Sequence, residues 1–387
     1  MMECIYHSIM LFQPPTLDRE LVVLEEIAVA QDDLRWRVAE PRRWSGSLRR
    51  LTQARSIQGS NSIEGYHASL DDVVAAVEDE EPLDAPAETR EALRGYRDAM
   101  TYVLQLSRQD EQPVVDETLL RSLHFMMLRY DLTKNPGLYR PGAIWIHRQS
   151  DGEVVYEGPP IEEARILMAE LAAALAEPSE HPLVDAAMAH LNLVLIHPFS
   201  DGNGRMARAL QTLVIARDEV LVPEFNSIEE HLGRNTQAYY DVLAEVAAGS
   251  WQPDCDTRPW IRFCLTAHHR QVQTALRRAL AAEGLWVMLE EITAARGLPM
   301  RVVGPLYDAI NGLRLRNSTY RASVRSAEGV DISDQTASRD LRSLVEVEML
   351  TAHGERRGRT YTQGASIAGL GNRVRAAQAG SITDPFG

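Results

Sequence analysis

The sequence contains almost no lysine and little cysteine. Lysine occurs once among the 387 residues, at Lys134, so that 39 of the 40 basic residues are arginine. Arginine binds phosphate and carboxylate groups through two parallel hydrogen bonds, which favours sites of that kind. The chain has three cysteines, an odd number, and they are far apart in the sequence, at Cys4, Cys255 and Cys264. Their spacing argues against a disulfide framework or a cysteine zinc site and favours a reducing compartment.

Long apolar runs are also missing. The longest strongly apolar stretch, residues 191–196, is much shorter than the roughly 18 residues that a membrane span needs. The chain starts Met-Met-Glu-Cys and has no basic segment before an apolar core, as a secretory signal would. We therefore expect a cytoplasmic protein without a membrane partner.

The charge balance is acidic, with 55 acidic and 40 basic residues and a formal net charge of −15. This balance excludes a protein that coats nucleic acid through a broad basic surface. Hydrophobic residues make up 45% of the chain, which is enough for packed cores and excludes a largely disordered protein. The length predicts two or three domains.

The hydrophobic pattern predicts a mainly α fold with one β-hairpin. Apolar residues recur at helical spacing up to about residue 295, and the acidic stretch 71–89 is predicted to be a solvated linker. The exception is 143–156, where two β-branched and aromatic runs flank a turn at Ser150-Asp151-Gly152. We expect a short hairpin there, inside an otherwise helical domain.

Residues 197–208 have the pattern of an anion-binding loop between two helices. Pro198 disfavours helical geometry at His197, so the preceding helix should end there. Gly202 and Gly204 allow the backbone to form a tight turn. The free N–H groups and the positive dipole of the next helix then face an anion in the loop.

Side chains of the same segment supply the remaining chemistry. Arg205 and Arg208 are three residues apart, so they share one face of the first helical turn. His197 offers a base at the edge of the loop, and Asp201 offers a carboxylate for a hard cation. Together these groups predict a phosphate site with a proton acceptor beside it.

The segment resembles the signature of the Fic (filamentation induced by cAMP) family, HPFx(D/E)GNGRxxR, and matches it at every position. The resemblance extends over about residues 50–265. It implies a helical Fic domain in which the hairpin is a flap that docks the target protein, and in which residues 234–240 lie near the adenine. The residues that it adds to the site are Ile144, Trp145 and Ile146 in the flap and Tyr239 and Tyr240 near the nucleotide.

The resemblance implies transfer of AMP from ATP to a Ser, Thr or Tyr hydroxyl of a target protein, with Mg²⁺. His197 would be the general base and Asp201 would hold the metal. The other implied positions are Gly202, Asn203 and Gly204 at the α-phosphate, Arg205 at the β-phosphate, Arg208 at the γ-phosphate, and Phe199 as a buried anchor of the loop.

Residues 60–65 resemble the inhibitory motif of the same family, (S/T)xxxE(G/N), through Ser60, Glu64 and Gly65. By that resemblance Glu64 would form a bidentate pair with Arg208 and keep it from the γ-phosphate. In some relatives the same glutamate positions a water for removal of AMP. The sequence leaves open which of these roles Glu64 has.

Residues 300–365 resemble a winged helix-turn-helix domain with a recognition helix over about Ser333–Glu346. Its outward residues would be Thr336, Ser338, Arg339 and Arg342, with Arg356, Arg357 and Arg359 on the wing. Residues 312–360 hold nine arginines and seven acids, a weak excess for a strong DNA binder. Dimerisation or target recognition therefore stands beside DNA binding as a prediction for this domain.

The predicted domains are a helical region with the inhibitory helix (1–110), the Fic core (111–265), a helical connector (266–299), the winged domain (300–365) and a flexible tail (366–387). The leading prediction for function is an auto-inhibited adenylyltransferase. The alternatives are removal of AMP, transfer of another nucleotide moiety, or a DNA-binding regulator whose Fic domain senses nucleotide. Self-modification and a homodimer are left open.

Overall fold

The computed structural model describes residues 10–39, 42–80, 84–108, 114–148, 152–176, 180–217, 223–355, 358–378 and 380–387. As predicted, the fold is mainly α. The helices in chain order are α1 (Arg19–Val38), α2 (Ser45–Ile63), α3 (Leu70–Val77), α4 (Ala87–Leu106), α5 (Glu117–Leu128), α6 (Ile161–Ala174), α7 (Pro182–Ile196), α8 (Asn203–Ala216), α9 (Pro223–Asn226), α10 (Glu229–Arg234), α11 (Thr236–Ala247), α12 (Arg258–Ala295), α13 (Val303–Ile310), α14 (Asn317–Glu328), α15 (Asp334–Glu346) and α16 (Leu370–Ala377). None of the described helices is long and apolar enough to span a membrane.

Two antiparallel hairpins complete the described elements. Strand β1 (Trp145–His147) pairs with β2 (Val154–Glu157), and a register shift lies between Ile146 and His147. The predicted hairpin at 143–156 is therefore present, although its expected turn includes residues 150 and 151, which lie outside the described residues. Strand β3 (Leu350–His353) pairs with β4 (Thr360–Gln363).

The core centres on α7 and α8. Helix α7 is apolar along almost its whole length, and Leu191, Leu193 and Ile196 are buried. A helix that is apolar on all faces needs neighbours on every side. It packs against α6, α8 and α12, and α8 in turn meets α2, α4 and α5. The loop between α7 and α8, which carries the predicted site, is thus held by the most buried pair of helices.

Three sequence predictions need correction. Residues 71–89, expected to be a linker, include α3, which begins where Ser69 Oγ accepts a hydrogen bond from the Asp72 N–H and which buries Val73 and Val74. The expected flexible tail includes α16, which packs on α12 and buries Leu370. In both places a few apolar residues are enough to dock a short helix on a neighbour.

The third correction concerns the domain boundary that falls within α12. Helix α12 runs without a break through the expected boundary at 265/266, so no connector separates the core from the C-terminal elements at that position. His268 and His269 of this helix are buried. The middle of α12 packs against α1, α7 and α11, which is why both faces that carry these residues are covered.

The C-terminal elements α13, α14, α15 and the β3–β4 hairpin follow one another in the order expected of a winged domain. Leu315 forms an additional bridge to Tyr361 of β4. Arg50 of α2 pairs with Asp308 of α13, and both side chains are buried. These elements therefore dock on the helix that carries the predicted inhibitory motif.

Candidate active site

The loop between α7 and α8 has the backbone geometry that its glycine and histidine predicted. His197 ends α7 in the left-handed conformation, with φ of 50°. Gly202, with φ of 76°, precedes α8. A Cβ on Gly202 would come within 2.9 Å of a Leu128 methyl group, so this turn needs glycine for space as well as for conformation.

Asn203 and Phe199 hold the loop closed. The Asn203 side chain accepts a hydrogen bond from the Phe199 N–H and donates one to the Phe199 carbonyl, both at 2.9 Å. Phe199 is fully buried, as expected of an anchor, and stacks on His124 with ring centroids 3.7 Å apart. The Asn203 amide is thus engaged with the backbone of the loop, and Asn203 lies at the first turn of α8.

His124, which the sequence analysis did not identify, fixes the other side of the loop. Its Nδ1 accepts the Gly137 N–H at 2.8 Å, so its Nε2 carries the proton and donates to the Asp201 carbonyl at 2.9 Å. Burial lowers the pKa of His124 to about 4, which keeps the ring neutral. The ring therefore connects α5 with the loop as a neutral donor and acceptor.

The tautomer of His197 suits a base. Its Nδ1 lies 3.0 Å from the Val194 carbonyl, and a carbonyl only accepts, so Nδ1 carries the proton and Nε2 is left as an acceptor. Burial, and then the nearby Arg140 charge, lower the pKa of His197 to about 4. At neutral pH the ring is uncharged, with its one proton on Nδ1, and can accept a second proton at Nε2.

Arg140, also missed by the sequence analysis, ties the flap to the loop. Its Nε donates to the His197 carbonyl at 2.9 Å, and its two terminal nitrogens donate to the carbonyls of Gly142 and Pro159. The side chain is buried. One guanidinium thus connects the loop with both ends of the β1–β2 hairpin.

Asp201 is paired with Lys134, the single lysine of the chain. The carboxylate Oδ2 lies 2.9 Å from the ammonium, and Oδ1 accepts the Gly202 N–H at 2.6 Å. Burial acts to raise the pKa of Asp201, but the hydrogen bond and charge of Lys134 outweigh it and lower that pKa. The carboxylate is ionised and partly exposed, as a ligand for a hard cation must be.

Arg205 and Arg208 are both buried at the start of α8. Arg205 lies over the ring of Tyr66, 5.2 Å from its centroid, and its Nε and Nη1 are buried without a hydrogen-bond partner among the described residues. Arg208 Nη1 is likewise buried without a hydrogen-bond partner among the described residues. Buried guanidinium groups with unpaired donors are typical of an anion-binding site.

Glu64 reaches Arg208 from α2. Its Oε1 lies 2.6 Å from Arg208 Nη2, while Arg208 Nε donates to Ser60 Oγ at 2.7 Å and Nη2 to the Ser60 carbonyl at 3.0 Å. The prediction of a bidentate pair is therefore wrong. One oxygen of Glu64 and two atoms of Ser60 bind the guanidinium instead. A Cβ on Gly204 would lie 2.5 Å from Glu64 Oε1, so the carboxylate covers the N-terminus of α8.

The end of α2 explains how Glu64 is presented. Gly65, with φ of 84°, donates its N–H to the Ser62 carbonyl, and Tyr66 donates its N–H to the Asn61 carbonyl. This is a Schellman motif with Glu64 as the last half-helical residue. It stops the helix at the loop and turns Tyr66 onto Arg205.

Tyr239 and Tyr240 have different surroundings. The Tyr239 hydroxyl is buried and lies 2.9 Å from His190 Nε2; His190 Nδ1 faces Gln211 Oε1 and therefore carries the proton, so the tyrosine donates. Tyr240 is partly exposed and donates to the Ile63 carbonyl at 3.1 Å. Tyr240 thus borders the end of α2, while Tyr239 lies in the core.

The flap presents an aromatic side chain. Trp145 is 49% exposed, whereas Ile144 and Ile146 are half-buried. Tyr156 of β2 is buried and donates its hydroxyl to the Leu195 carbonyl of α7 at 2.8 Å. The hairpin is therefore anchored on the core by Tyr156 and leaves Trp145 accessible near the loop.

Several known proteins are similar to this chain in sequence or in structure. Residues 114–215 match the profile of the Fic/DOC family. The protein adenylyltransferase Fic of Nematostella vectensis is 29% identical over 227 residues, and that of Aedes aegypti is 33% identical over 120 residues. A Fic family protein from Desulfovibrio desulfuricans G20, known from a crystal structure, is similar with a TM-score of 0.58 and 25% identity, over 92% of this chain and 99% of that one.

Residues 114–215 are a Fic domain. The matched segments cover 57% of this chain and 48% of the Nematostella protein, and 31% of this chain and 22% of the Aedes protein. The chain therefore spans less than half the length of these curated relatives.

The α7–α8 loop and the start of α8 carry His197, Asp201, Arg205 and Arg208. A further buried carboxylate, Glu229, lies behind Arg208; burial raises its pKa to about 7 although the Arg208 charge opposes this. It was not predicted, because the residues around it in the sequence carry no recognisable motif.

DNA binding by the C-terminal elements stays a prediction, and the residues named for it lie as follows. Helix α15 nearly coincides with the predicted recognition helix, and Ser333 caps it by accepting the Thr336 N–H. Arg339, Arg342 and Arg359 are exposed, whereas Ser338 accepts a hydrogen bond from Asn317. Arg356 and Arg357 of the expected wing lie outside the described residues.

Proposed function

We propose that this protein transfers AMP from ATP to a hydroxyl side chain of a target protein and that Glu64 keeps it inactive. The contact of Glu64 with Arg208 carries the proposal, because it occupies the guanidinium and the helix terminus that an ATP molecule would use. The curated relatives named as protein adenylyltransferases support this class of activity.

The proposed nucleophile is the oxygen of a Ser, Thr or Tyr hydroxyl on the target. It attacks the α-phosphorus, the bond from that phosphorus to the bridging oxygen breaks, and pyrophosphate leaves. His197 Nε2 accepts the hydroxyl proton, which its neutral ring and its bonded Nδ1 support. The exposed Trp145 of the flap would contact the target backbone or side chains beside the acceptor.

The phosphates would lie over the first turn of α8. The N–H groups of Asn203, Gly204 and Arg205 have no partner within the helix and point toward this position. Because the Asn203 amide already binds Phe199, we assign its contribution to the backbone. The free donors of Arg205 and Arg208 are then available to the β- and γ-phosphates.

Mg²⁺ would be held by Asp201. An ionised and partly exposed carboxylate fits a hard cation that takes its other ligands from phosphates and water. The bound ion supplies charge neutralisation at the phosphates. In the present arrangement the Lys134 ammonium neutralises the carboxylate, so the ammonium and the metal would compete for Asp201.

Inhibition follows from charge and space. Glu64 Oε1 lies where a phosphate oxygen would meet Gly204 and Arg208. Two anions cannot share that position, so ATP either is excluded or binds with its phosphates displaced. Ser60 holds the guanidinium toward Glu64 and makes the inhibited arrangement rigid.

The experiment uses the Glu64→Gly protein with ATP labelled either at the α- or at the γ-phosphate, in a lysate. We expect a protein band labelled from α-labelled ATP alone. The Glu64→Gly protein that also carries His197→Ala should label nothing. Label from the γ-position would contradict AMP transfer, and full activity without His197 would contradict its role as the base.

A further inference from the structure

A second cavity lies away from the α7–α8 loop, between the Fic core and the C-terminal elements. It has a volume of about 580 Å³ and is bordered by α2, α10, α12, α13 and α16. The walls combine two kinds of side chain. Five of the lining residues are arginines, namely Arg55, Arg234, Arg277, Arg278 and Arg375.

One carboxylate, that of Glu230, pairs with two of these arginines. Glu230 accepts two hydrogen bonds from Arg278 at 2.6 Å each, and Arg234 lies 2.7 Å from its Oε1. Burial acts to raise the pKa of Glu230, but Arg278 lowers it to about 2. Glu230 thus neutralises part of the charge of Arg234 and Arg278, and Arg55, Arg277 and Arg375 form no ion pair with it.

Those three have no ionic partner among the described residues. Arg277 donates to the Ser381 carbonyl and Arg375 to the Asn372 side chain, which are neutral acceptors. Arg55 has neither a hydrogen bond nor an ion pair within the described part of the chain. Burial, together with the charge of Arg278, lowers the pKa of Arg55 to about 10. Arg55 and Arg277 are half-buried, and such arginines without counter-ions are rare in proteins unless a ligand supplies the charge.

Apolar residues line the same cavity. Leu48, Leu285, Tyr307 and Ile310 are buried and border the cavity. Ligand pockets typically combine such a surface with a few convergent polar groups. The chemistry therefore fits a small molecule with a flat or apolar body and more than one negative charge.

We propose that this cavity binds a phosphorylated small molecule, with its phosphates on Arg55, Arg277 and Arg375 and its apolar body against Leu285 and Tyr307. A nucleoside diphosphate has both parts and is used here as the probe for the class. The site is distinct from the α7–α8 loop, and its existence does not depend on the proposed AMP transfer.

The cavity is connected to the inhibitory contact through α2. Arg55 lies on the same helix as Ser60, and Glu64 directly ends that helix. Gly59 packs so closely on α10 that a Cβ would meet the Glu229 carbonyl oxygen at 2.4 Å. Because Arg55 and Arg234 both line the cavity, a ligand there would lie against α2 and α10, the two helices that pack together at Gly59.

The test is calorimetric titration of the full chain with ADP. Three proteins are compared: wild type, Arg277→Gln combined with Arg375→Gln, and Arg296→Gln. Arg296 is an exposed arginine at the end of α12, away from the cavity, and serves as the matched control. Each guanidinium lost from a phosphate should weaken binding roughly tenfold.

We expect wild type and the Arg296→Gln control to bind one ADP more per chain than the double variant, whatever the α7–α8 loop binds. Equal stoichiometry and affinity in all three proteins would overturn the proposal. A 20-base-pair duplex is titrated in parallel. Loss of duplex binding without loss of ADP binding in the double variant would also overturn it, in favour of nucleic acid. Circular dichroism checks folding, and Arg375→Gln alone is the substitute if the double variant unfolds.

Discussion

Glu64 Oε1 lies 2.6 Å from Arg208 Nη2, although the two residues are 144 positions apart. The Glu64 side chain is 26% exposed and that of Arg208 is 1% exposed. A buried guanidinium thus receives its counter-charge from a carboxylate that can still reach solvent. Withdrawing such a carboxylate from its partner costs less than withdrawing a fully buried one, because it is already partly hydrated.

The pairing of Lys134 with Asp201 predicts a metal dependence. In Lys134→Met, the ammonium no longer competes for the carboxylate, so Mg²⁺ should activate at several-fold lower concentration. Lys134→Arg keeps the charge and should resemble wild type. The measurement is a Mg²⁺ titration of AMP transfer in the Glu64→Gly background. An unchanged activation curve for Lys134→Met would show that the ammonium and the metal do not share Asp201.

The two hydrogen bonds of Asn203 predict a structural role in the loop. In Asn203→Ala, two buried backbone groups of Phe199 lose their partners, which should cost about 1–3 kcal/mol of unfolding free energy. The matched substitution Asn372→Ala, at an exposed position of α16, should change stability by less than about 0.5 kcal/mol. Urea unfolding of both variants gives their free energies of unfolding. Equal values would show that the Asn203 side chain does not stabilise the loop.

Burial of histidines predicts loss of stability in mild acid. It lowers the pKa values of five of them from 6.5 to about 3 or 4, namely His124, His190, His197, His231 and His268. Between pH 6.5 and 4 the unfolded chain then binds more protons, so stability falls as pH decreases. Glu229, with its pKa raised to about 7, acts in the opposite direction, but one group does not offset five.

The measurement is urea unfolding at pH 7 and pH 5. In His190→Gln the difference between the two pH values should shrink by about 2 kcal/mol. His353→Gln, at an exposed position, should leave the difference unchanged. A difference of the same size in all three proteins would contradict the assignment of this pH dependence to the buried histidines.

The exposed Trp145 predicts a loss of target docking without a loss of nucleotide binding. In the Glu64→Gly background, Trp145→Ala should lower label in the target protein several-fold and leave ATP affinity unchanged, because the proposal assigns Trp145 to the target protein and not to the nucleotide. Trp36→Ala, at a tryptophan of α1 that is 68% exposed, is the control. An equal effect of both substitutions would point to general surface perturbation instead.

The sequence predicted the loop well because its residues are contiguous. The end of α7 at His197, the tight turn at Gly202 and the start of α8 follow from local rules for glycine, proline and helix ends, whereas the burial of Phe199 was implied by the family resemblance. The contact of Glu64 with Arg208 was predicted through the family resemblance, although its bidentate form was not observed. Here the neighbouring Ser60 takes the Nε that a bidentate carboxylate would have used.

The site residues that the sequence did not predict come from other parts of the chain. His124 and Arg140 reach the loop from α5 and from the base of the flap, and neither lies in a pattern that marks it as a partner. Lys134 carried one signal, since it is the single lysine of the chain. The arginines of the second cavity come from four helices, so their proximity emerges only when α2, α10, α12 and α16 are packed.

The central claim is that Glu64 blocks AMP transfer by occupying Arg208. The most direct measurement compares initial rates of label transfer from α-labelled ATP by wild type and Glu64→Gly, at equal protein and Mg²⁺ concentrations. Because a charged hydrogen bond to phosphate contributes about 1.5–3 kcal/mol, freeing Arg208 should raise the rate roughly 10- to 100-fold. Equal rates for the two proteins would contradict the account.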